Sequence, residues 1–314
     1  MRKALLVGIN HYIESPLNGC IQDAEKLASI LKRNADGSPN FHCRTLLSND
    51  EVITKYKLQE EIKELLEHES DLALFYFSGH GSAGTKGGYL VTQDAAIFDE
   101  GLPMDEFLEQ INASRAREII ILLDCCHSGY FGKDQPAQET AILREGISIL
   151  TSSRSTQASY EEDGGGIFTS LIYNALEGGA ADVLGNITAA GLYAYVDQAL
   201  GPWDQRPLFK SHVSRLSSIR KCIPDIPVES LRLLPSYFKK PTDEYVLDPT
   251  YEKHFGHNHK EHENIFGLFQ GYRNARLLTP MDAGHLFFAA RDSKAVSLTA
   301  LGRYYWKLAK EELI

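Results

Sequence analysis

Short, almost wholly apolar runs that alternate with amphipathic stretches constrain the fold of this chain more than any other feature. The apolar runs predict strands at residues 3–9, 71–77, 117–123, 146–150 and 207–213, and the amphipathic stretches predict helices at 22–33, 55–69, 167–176 and 189–200. Strands that are apolar along their whole length are buried on both faces, which is typical of a mostly parallel sheet covered by helices. The pattern therefore predicts an α/β domain over about the first 222 residues.

The remainder of the chain has a different composition. Three prolines precede the basic pair at 239–240, which predicts domains at 1–222 and 246–314 joined by a linker at 223–245. In the tail we expect a helix at 264–276, a hairpin of strands at 285–290 and 295–298, and a last helix from Ala300 with Thr299 as its N-cap. This pattern indicates a small α+β domain.

Composition argues against several classes of protein. The formal charge of −10 disfavours a general affinity for nucleic acid, which requires an excess of Lys and Arg. No apolar run approaches the ~20 residues of a membrane span, and the first residues lead directly into a strand rather than a signal peptide. The five cysteines are odd in number and include the adjacent pair Cys125 and Cys126, which argues against a disulfide framework. We therefore expect a soluble protein in a reducing cytoplasm.

Two of the predicted strands lead directly into residues with catalytic chemistry. The strand at 71–77 precedes Ser-Gly-His-Gly at 78–81, and the strand at 117–123 precedes Asp-Cys-Cys-His-Ser-Gly at 124–129. Ligands of parallel sheets bind at the carboxyl ends of strands, and a histidine near a cysteine favours the nucleophilic thiolate. Either residue alone would more simply be a turn histidine or a buried core thiol, whereas both at matching strand ends favour catalysis.

These two motifs resemble the histidine and cysteine signatures of metacaspases and their bacterial relatives among the caspase-like cysteine proteases (clan CD, peptidase family C14). Residues 17–24 (LNGCIQDA) resemble the amino-terminal motif of the family, and residues 164–169 (GGGIFT) resemble the start of its small-subunit helix. The resemblance covers residues 1 to about 222. It implies a caspase-like, mostly parallel six-stranded sheet flanked by helices, and the activity of a cysteine endopeptidase that acts on proteins or peptides.

The family pattern also implies the roles of single residues. The nucleophile directly precedes His-Ser-Gly, which assigns it to Cys126, with His80 as its partner and Cys125 as a neighbour. Successive residues that leave a strand point in opposite directions, so we expect only one of the two cysteines to face the cleft. The amides of Gly81 and Cys126 are the natural donors of an oxyanion hole.

Acidic residues suggest the specificity. Metacaspases place acids where caspases place arginines, and the matching positions are Asp23 and Asp124, with Ser78 as a neutral hydrogen-bonding wall. A buried pair of carboxylates requires a cation, so the resemblance implies substrates with Arg or Lys before the cut. Alternatively, Asp23 interacts only with the N-terminal dipole of its helix.

Two further features concern calcium and self-processing. Many metacaspases use calcium, but Met104 occupies a position in the acidic stretch 94–106 where an acid is expected, so no cofactor is required by the sequence and calcium is left open. The polar segment 131–144 resembles the loop that such enzymes cut in themselves, here after Lys133 or Arg144. An uncut surface loop is the alternative.

The tail carries His254, His257, His259 and His262, which we interpret as a solvated histidine-rich turn rather than a metal site. Residues 297–303 and the helix that follows resemble the wing and last helix of a winged-helix domain. This resemblance implies an interaction or sensing module, through which a regulatory protein partner could control the protease. The competing interpretation of the chain is a catalytically vestigial caspase-like scaffold or a winged-helix regulator.

Overall fold

The computed structural model describes residues 1–84, 87–96, 99–125, 142–152, 161–162, 165–200 and 207–314. The chain divides into two compact units, one formed by Met1–Asp182 and Asn186–Ile223 and the other by Val183–Gly185 and Pro224–Ile314. Of the helices described, none combines the length and the apolar character needed to cross a membrane.

The first unit contains strands that alternate with helices along the chain. Its strands are β1 (Arg2–Gly8), β2 (His42–Leu47), β3 (Leu72–Ser78), β4 (Gly81–Gly84), β5 (Gly87–Ala96), β6 (Asp99–Pro103), β7 (Glu118–Asp124), β8 (Ile147–Thr151), β9 (Glu161–Glu162), β10 (Gly165–Gly166), β11 (Asn186–Ile187), β12 (Leu208–His212) and β13 (Arg220–Lys221). Its helices are α1 (Cys20–Leu31), α2 (Lys55–Leu66), α3 (Met104–Ala113), α4 (Ile167–Asn174) and α5 (Ala189–Ala199), and a π-helical turn (Ala175–Gly179) continues α4.

Six of these strands form the central sheet, in the order β12-β8-β7-β3-β1-β2. All neighbours are parallel except β12, which runs antiparallel to β8. Every residue of β3 and of β7 is buried, because these two strands lie in the middle of the sheet and are covered on both faces. The predicted caspase-like α/β fold, with a mostly parallel six-stranded sheet, is confirmed.

Alternate residues of the central strands contribute to two separate cores. On one face Phe75 and Phe77 pack with side chains of α2 and α3. On the other face Leu74 and Tyr76 pack with side chains of α1, α4 and α5. Because side chains of a strand alternate between the faces, this arrangement decides on which side each residue at a strand end lies.

Several parts of the first unit were not predicted from the sequence, including strand β2, the sheet β4-β5-β6 and helix α3. Strand β2 lies at the edge of the sheet and alternates between exposed and half-buried residues over its first four positions, so it has no continuous apolar run. The small antiparallel sheet β4-β5-β6 begins directly after His80 in a glycine-rich stretch. Helix α3 follows it and buries Phe107 and Ile111.

The second unit is a small α+β arrangement with a core of its own. Its helices are α6 (Val228–Arg232), α7 (Leu234–Tyr237), α8 (Lys260–Asn274), α9 (Leu286–Arg291) and α10 (Ala300–Lys310), and its strands are β14 (Glu244–Val246), β15 (Leu278–Pro280) and β16 (Ala295–Leu298). The strands form an antiparallel sheet in the order β14-β16-β15. In the segment 223–245, for which a linker was predicted, the structure has α6 and α7, and Leu231, Leu234 and Phe238 belong to the core.

The predicted hairpin of the tail is wrong in its first strand. Residues 286–291 form helix α9, in which Leu286, Ala289 and Ala290 are buried with helical spacing and the side chain of His285 accepts a hydrogen bond from the backbone N–H of Phe287. The second predicted strand is β16. Thr299 caps α10 as predicted, since its hydroxyl accepts from the N–H of Gly302 at 3.0 Å.

Candidate active site

The two strand ends that carry the predicted catalytic residues are neighbours in the sheet. Strands β3 and β7 pair in parallel with Ser78 opposite Asp124, and the N–H of Gly79 lies 3.4 Å from the carbonyl oxygen of Asp124. His80 lies two residues beyond Ser78. Cys126, two residues beyond Asp124, lies outside the described residues, as does Lys133.

The imidazole of His80 has a defined hydrogen-bond partner. Its Nε2 lies 2.7 Å from the carbonyl oxygen of Ser15, in the segment between β1 and α1. A carbonyl oxygen can only accept a hydrogen bond, so Nε2 must carry the hydrogen. In the neutral ring Nδ1 then has a free lone pair and can accept a proton.

A buried tyrosine that the sequence analysis missed lies against this histidine. The rings of Tyr12 and His80 are 4.5 Å apart between centroids and inclined by 53°. The backbone N–H of His80 donates to the hydroxyl of Tyr12 at 3.0 Å, and that hydroxyl donates to the carbonyl oxygen of Val91 at 3.1 Å. The aromatic residue in Asn-His-Tyr, just after a strand end, was the signal that could have identified it.

Gly81, the predicted oxyanion donor, begins strand β4. It pairs with Leu90 of β5, and the N–H of Val91 donates to the carbonyl oxygen of His80 at 3.0 Å. This bond marks Gly81 and Leu90 as a non-hydrogen-bonded pair of the antiparallel ladder, so the N–H of Gly81 points away from β5. The amide direction is therefore compatible with donation to a group outside this small sheet.

The structure brings Asp23 and Asp124 together around one glycine. The N–H of Gly166 donates to Oδ2 of Asp23 at 2.9 Å. A Cβ atom at Gly166 would overlap Oδ2 of Asp124 and come within 3.3 Å of Oδ2 of Asp23. Both aspartates are buried, with exposed fractions of 5% and 6%. The absence of a side chain at position 166 is what allows the two carboxylates to converge there.

A chain of two hydroxyl groups leads to Asp124. Thr169 donates to Oδ2 of Asp124 from its hydroxyl at 2.6 Å and from its N–H at 3.3 Å, and its Oγ1 lies 2.6 Å from the hydroxyl of Tyr76. Burial, followed by the negative charges of Asp124 and Asp23, raises the pKa of Tyr76 well above its usual value. Ser78 is also buried, at the end of β3. The site is a compact, negatively charged cluster at the N-terminus of α4.

Cys125 occupies the other face of the sheet. It is 1% exposed and belongs to the core that contains Phe75 and Phe77. Asp124, one residue earlier, contacts the helices on the opposite face, as the alternation of a strand requires. The four cysteines in the described part of the chain, Cys20, Cys43, Cys125 and Cys222, form no disulfide with one another.

Arg144, one of the two predicted self-cleavage positions, is held by backbone carbonyl groups. Its guanidinium donates to the carbonyl oxygen of Ala116 at 2.6 Å and to that of Glu145 at 2.7 Å. The backbone N–H of Arg144 donates to Oδ1 of Asn112 at 2.9 Å. Desolvation by burial lowers the pKa of this guanidinium. Cleavage after Arg144 would require these bonds to break.

Two acids of the segment considered for calcium interact with Lys55. Asp94 accepts from the N–H of Lys55 at 3.0 Å, and Asp99 pairs with the ammonium of Lys55 at 3.1 Å. Met104 is 1% exposed in the core. No group of three His, Cys, Asp or Glu side chains that could hold a metal ion occurs in the described part of the chain.

The histidines of the tail take part in packing at the start of α8. The ring of His262 stacks between Tyr251, at 4.0 Å, and His259, at 3.8 Å. Its Nδ1 lies 2.6 Å from the hydroxyl of Thr250, and the side chain of His259 caps the helix by accepting from the N–H of His262. These contacts give the two histidines a structural role.

A parallel sheet with a histidine after one central strand and a cysteine motif after its neighbour is the arrangement of a caspase-like peptidase domain. The model of peptidase family C14, described as the caspase domain, matches residues 1–216, and the chain belongs to this family. Membership implies a cysteine-type peptidase with protein substrates.

Solved structures show the same fold. Protein GSU0716 from Geobacter sulfurreducens is 19% identical, with a TM-score of 0.52 over 68% of this chain and 94% of that one. Caspase-1 from Spodoptera frugiperda is 16% identical, with a TM-score of 0.50 over 71% of this chain and 90% of that one. No curated protein matches the sequence. At such identities the likeness concerns the fold alone.

Proposed function

We propose that this protein is a cysteine endopeptidase in which His80 and Cys126 form the catalytic dyad and which cuts after Arg or Lys. The hydrogen bond from Nε2 of His80 to Ser15 carries the proposal, because it leaves Nδ1 as the ring nitrogen that can accept the thiol proton. Ser78 and Asp124 are paired in neighbouring strands, and His80 and Cys126 each follow two residues later in the sequence. This register supports the proximity of His80 and Cys126.

In the proposed reaction, Nδ1 of His80 takes the proton of the Cys126 thiol and the thiolate attacks the carbonyl carbon of the scissile bond. The resulting oxyanion accepts hydrogen bonds from the N–H groups of Gly81 and Cys126. His80 then donates its proton to the amine as the carbon–nitrogen bond breaks, which leaves a thioester on Cys126. Water hydrolyses the thioester, with His80 as the base, and the thiol is restored.

The acids Asp23 and Asp124 would select a substrate cation. An Arg or Lys side chain that approaches this buried pair gains charge-assisted hydrogen bonds, whereas Asp or Glu meets like charge. The charge distribution supports basic substrates. Residues 224–314 contain twelve acidic and twelve basic side chains, so the net charge of −10 belongs to residues 1–223.

A structural role for the same acids is the alternative to selection. Asp23 accepts from the N-cap residue Gly166 and Asp124 from Thr169 in the first turn of α4, so both satisfy amides at a helix N-terminus. A single carboxylate could satisfy a helix N-terminus. Two carboxylates that converge on one glycine repel each other. The free-energy cost of this repulsion favours a site in which a cation binds to both carboxylates.

Regulation and self-processing are part of the proposal. Because the guanidinium of Arg144 is engaged by two carbonyl groups, Lys133 is the preferred position of a self-inflicted cut. The second unit, with its own core, would serve as the sensing module to which a regulatory partner binds. Cysteines that form no disulfide with one another in the described part of the chain support a location in a reducing cytoplasm.

Fluorogenic peptides that differ only in the residue before the cut test this function. Wild type should cleave the Arg and Lys peptides and leave the Asp peptide intact, and Cys126→Ala and His80→Ala should both be inactive. Cleavage that persists in Cys126→Ala would contradict the dyad. A wild-type protein that is inert toward all peptides and toward its own loop would favour the vestigial scaffold.

A further inference from the structure

We propose that Tyr12 is a positioning residue for His80, fixing its backbone and ring in the orientation in which Nε2 bonds to Ser15 and Nδ1 can accept a proton. The inference rests on the proposed function for its consequence on catalysis. Its basis is a set of three contacts: the hydrogen bond from the N–H of His80 to Tyr12, the hydrogen bond from Tyr12 to Val91, and the ring contact at 4.5 Å.

The hydroxyl of Tyr12 acts as donor and acceptor at once. Its hydrogen is used toward the carbonyl oxygen of Val91, so its oxygen can accept the N–H of His80. Burial raises the pKa of Tyr12 well above its usual value, which keeps the hydroxyl protonated at neutral pH. Tyr12 therefore connects the backbone of His80 to strand β5.

One segment of the chain, residues 10–17, holds the imidazole of His80 in place. Tyr12 contacts its ring and its backbone N–H, and Ser15, three residues later, accepts from Nε2. The segment is itself tied down by Asn10, whose carbonyl oxygen accepts from the N–H groups of Tyr12 and Leu17. Rotation of the imidazole would break the bond to Ser15, and displacement of its backbone would break the bond to Tyr12.

The position of Tyr12 against His80 also explains why residue 79 is a glycine. A Cβ atom at position 79 would lie 2.6 Å from the hydroxyl oxygen of Tyr12 and 3.0 Å from Cζ of Phe77. An alanine there would push the phenol away from His80. Gly79 and Tyr12 should therefore be coupled, because removal of the hydroxyl removes the closer of the two conflicts.

Tyr12→Phe tests the role of the hydroxyl, because the ring and its packing are retained. The matched control is Tyr56→Phe, which removes an exposed hydroxyl on helix α2 that donates to Glu60. We expect Tyr12→Phe to lower kcat about tenfold, the effect of one well-placed hydrogen bond, with KM within about twofold of wild type. Tyr56→Phe should match wild type. Unchanged kcat in Tyr12→Phe would overturn the proposal.

Gly79→Ala provides the second test. It should lower kcat at least as much as Tyr12→Phe in the wild-type background, and clearly less when Tyr12 is already phenylalanine. Equal losses in both backgrounds would show that the clash with Tyr12 has no part in the effect, and would contradict the proposed coupling.

A spectroscopic readout separates this inference from the proposed function. In protein labelled with 15N-histidine, the His80 signals, assigned by their loss in His80→Ala, should report an Nε2-protonated ring. They should change in Tyr12→Phe and stay constant in Tyr56→Phe. If the wild type has no activity that depends on Cys126, the proposed function fails, but these signals still test Tyr12. Identical His80 signals in wild type and Tyr12→Phe would refute the positioning role.

Discussion

Replacement of Asp124 by asparagine separates the two interpretations of the buried acids. The carboxylate accepts two hydrogen bonds from Thr169, at 2.6 and 3.3 Å, and an asparagine oxygen can accept both. The substitution therefore removes the charge and keeps the contacts with α4. If the acids only stabilise the helix, Asp124→Asn should resemble wild type in its peptide specificity.

The expected magnitude follows from the charge. A hydrogen bond to a charged group contributes about 1.5–3 kcal/mol, which corresponds to roughly 10–150-fold in kcat/KM. We compare peptides with Arg or citrulline before the cut, because citrulline has nearly the shape of arginine but no charge. Wild type should prefer Arg by about this factor, and in Asp124→Asn the preference should fall at least tenfold. The free energy of unfolding should change by less than about 1 kcal/mol.

Thr169→Val is the matched control for stability. It removes the hydroxyl that donates to Asp124 but leaves the carboxylate in place. A buried acceptor that is left without its donor lowers the free energy of unfolding by about 1–3 kcal/mol. Thr169→Val should therefore unfold more easily, while it retains the preference for Arg over citrulline. An undiminished Arg preference in Asp124→Asn would refute the charge-based account of specificity.

The remaining predictions concern the nucleophile, the loop and the tail. Cys125→Ala should retain peptidase activity and lose about 1 kcal/mol of stability, because its buried thiol packs in the core; an inactive but folded variant would contradict this assignment. Lys133→Ala should abolish the self-inflicted cut seen by mass spectrometry, whereas Arg144→Ala should retain the cut and lower the Tm; the opposite pattern would move the site to Arg144. Thr299→Ala should destabilise the second unit by about 1 kcal/mol in urea unfolding, since it removes the cap of α10, and an unchanged midpoint would refute the capping role.

The sequence predicted the parts of the fold that depend on burial. Strands β3 and β7 are buried on both faces and were recognised from their apolar runs, together with the residues that follow them. Edge strand β2 has exposed residues at alternate positions, so its sequence has no such run. The stretch 285–290 was misassigned because a short apolar run fits a strand or a helix equally, and the cap at His285 was not recognised.

In the candidate site, too, the sequence could identify some residues and not others. Histidine, cysteine and aspartate could be identified from their chemistry and motifs. For Tyr12 the one signal was an aromatic residue just after a strand end, and its contact with His80 comes from the fold. Ser15 and Thr169 could not be identified, because their roles depend on contacts between distant segments: Ser15 with the imidazole, and Thr169 with Asp124. Ser15 acts through its carbonyl oxygen, which any residue possesses, so no side chain at that position could have signalled it.

Covalent labelling can identify both the nucleophile and the side chain preferred before the cut. A peptide with Arg before an acyloxymethyl ketone is incubated with wild type, His80→Ala and Cys125→Ala, and the modified residue is mapped by mass spectrometry. We expect a single adduct on Cys126 in wild type and Cys125→Ala, a strongly reduced adduct in His80→Ala, and no adduct with the corresponding Asp reagent. An adduct on Cys125, or faster labelling by the Asp reagent, would contradict this expectation.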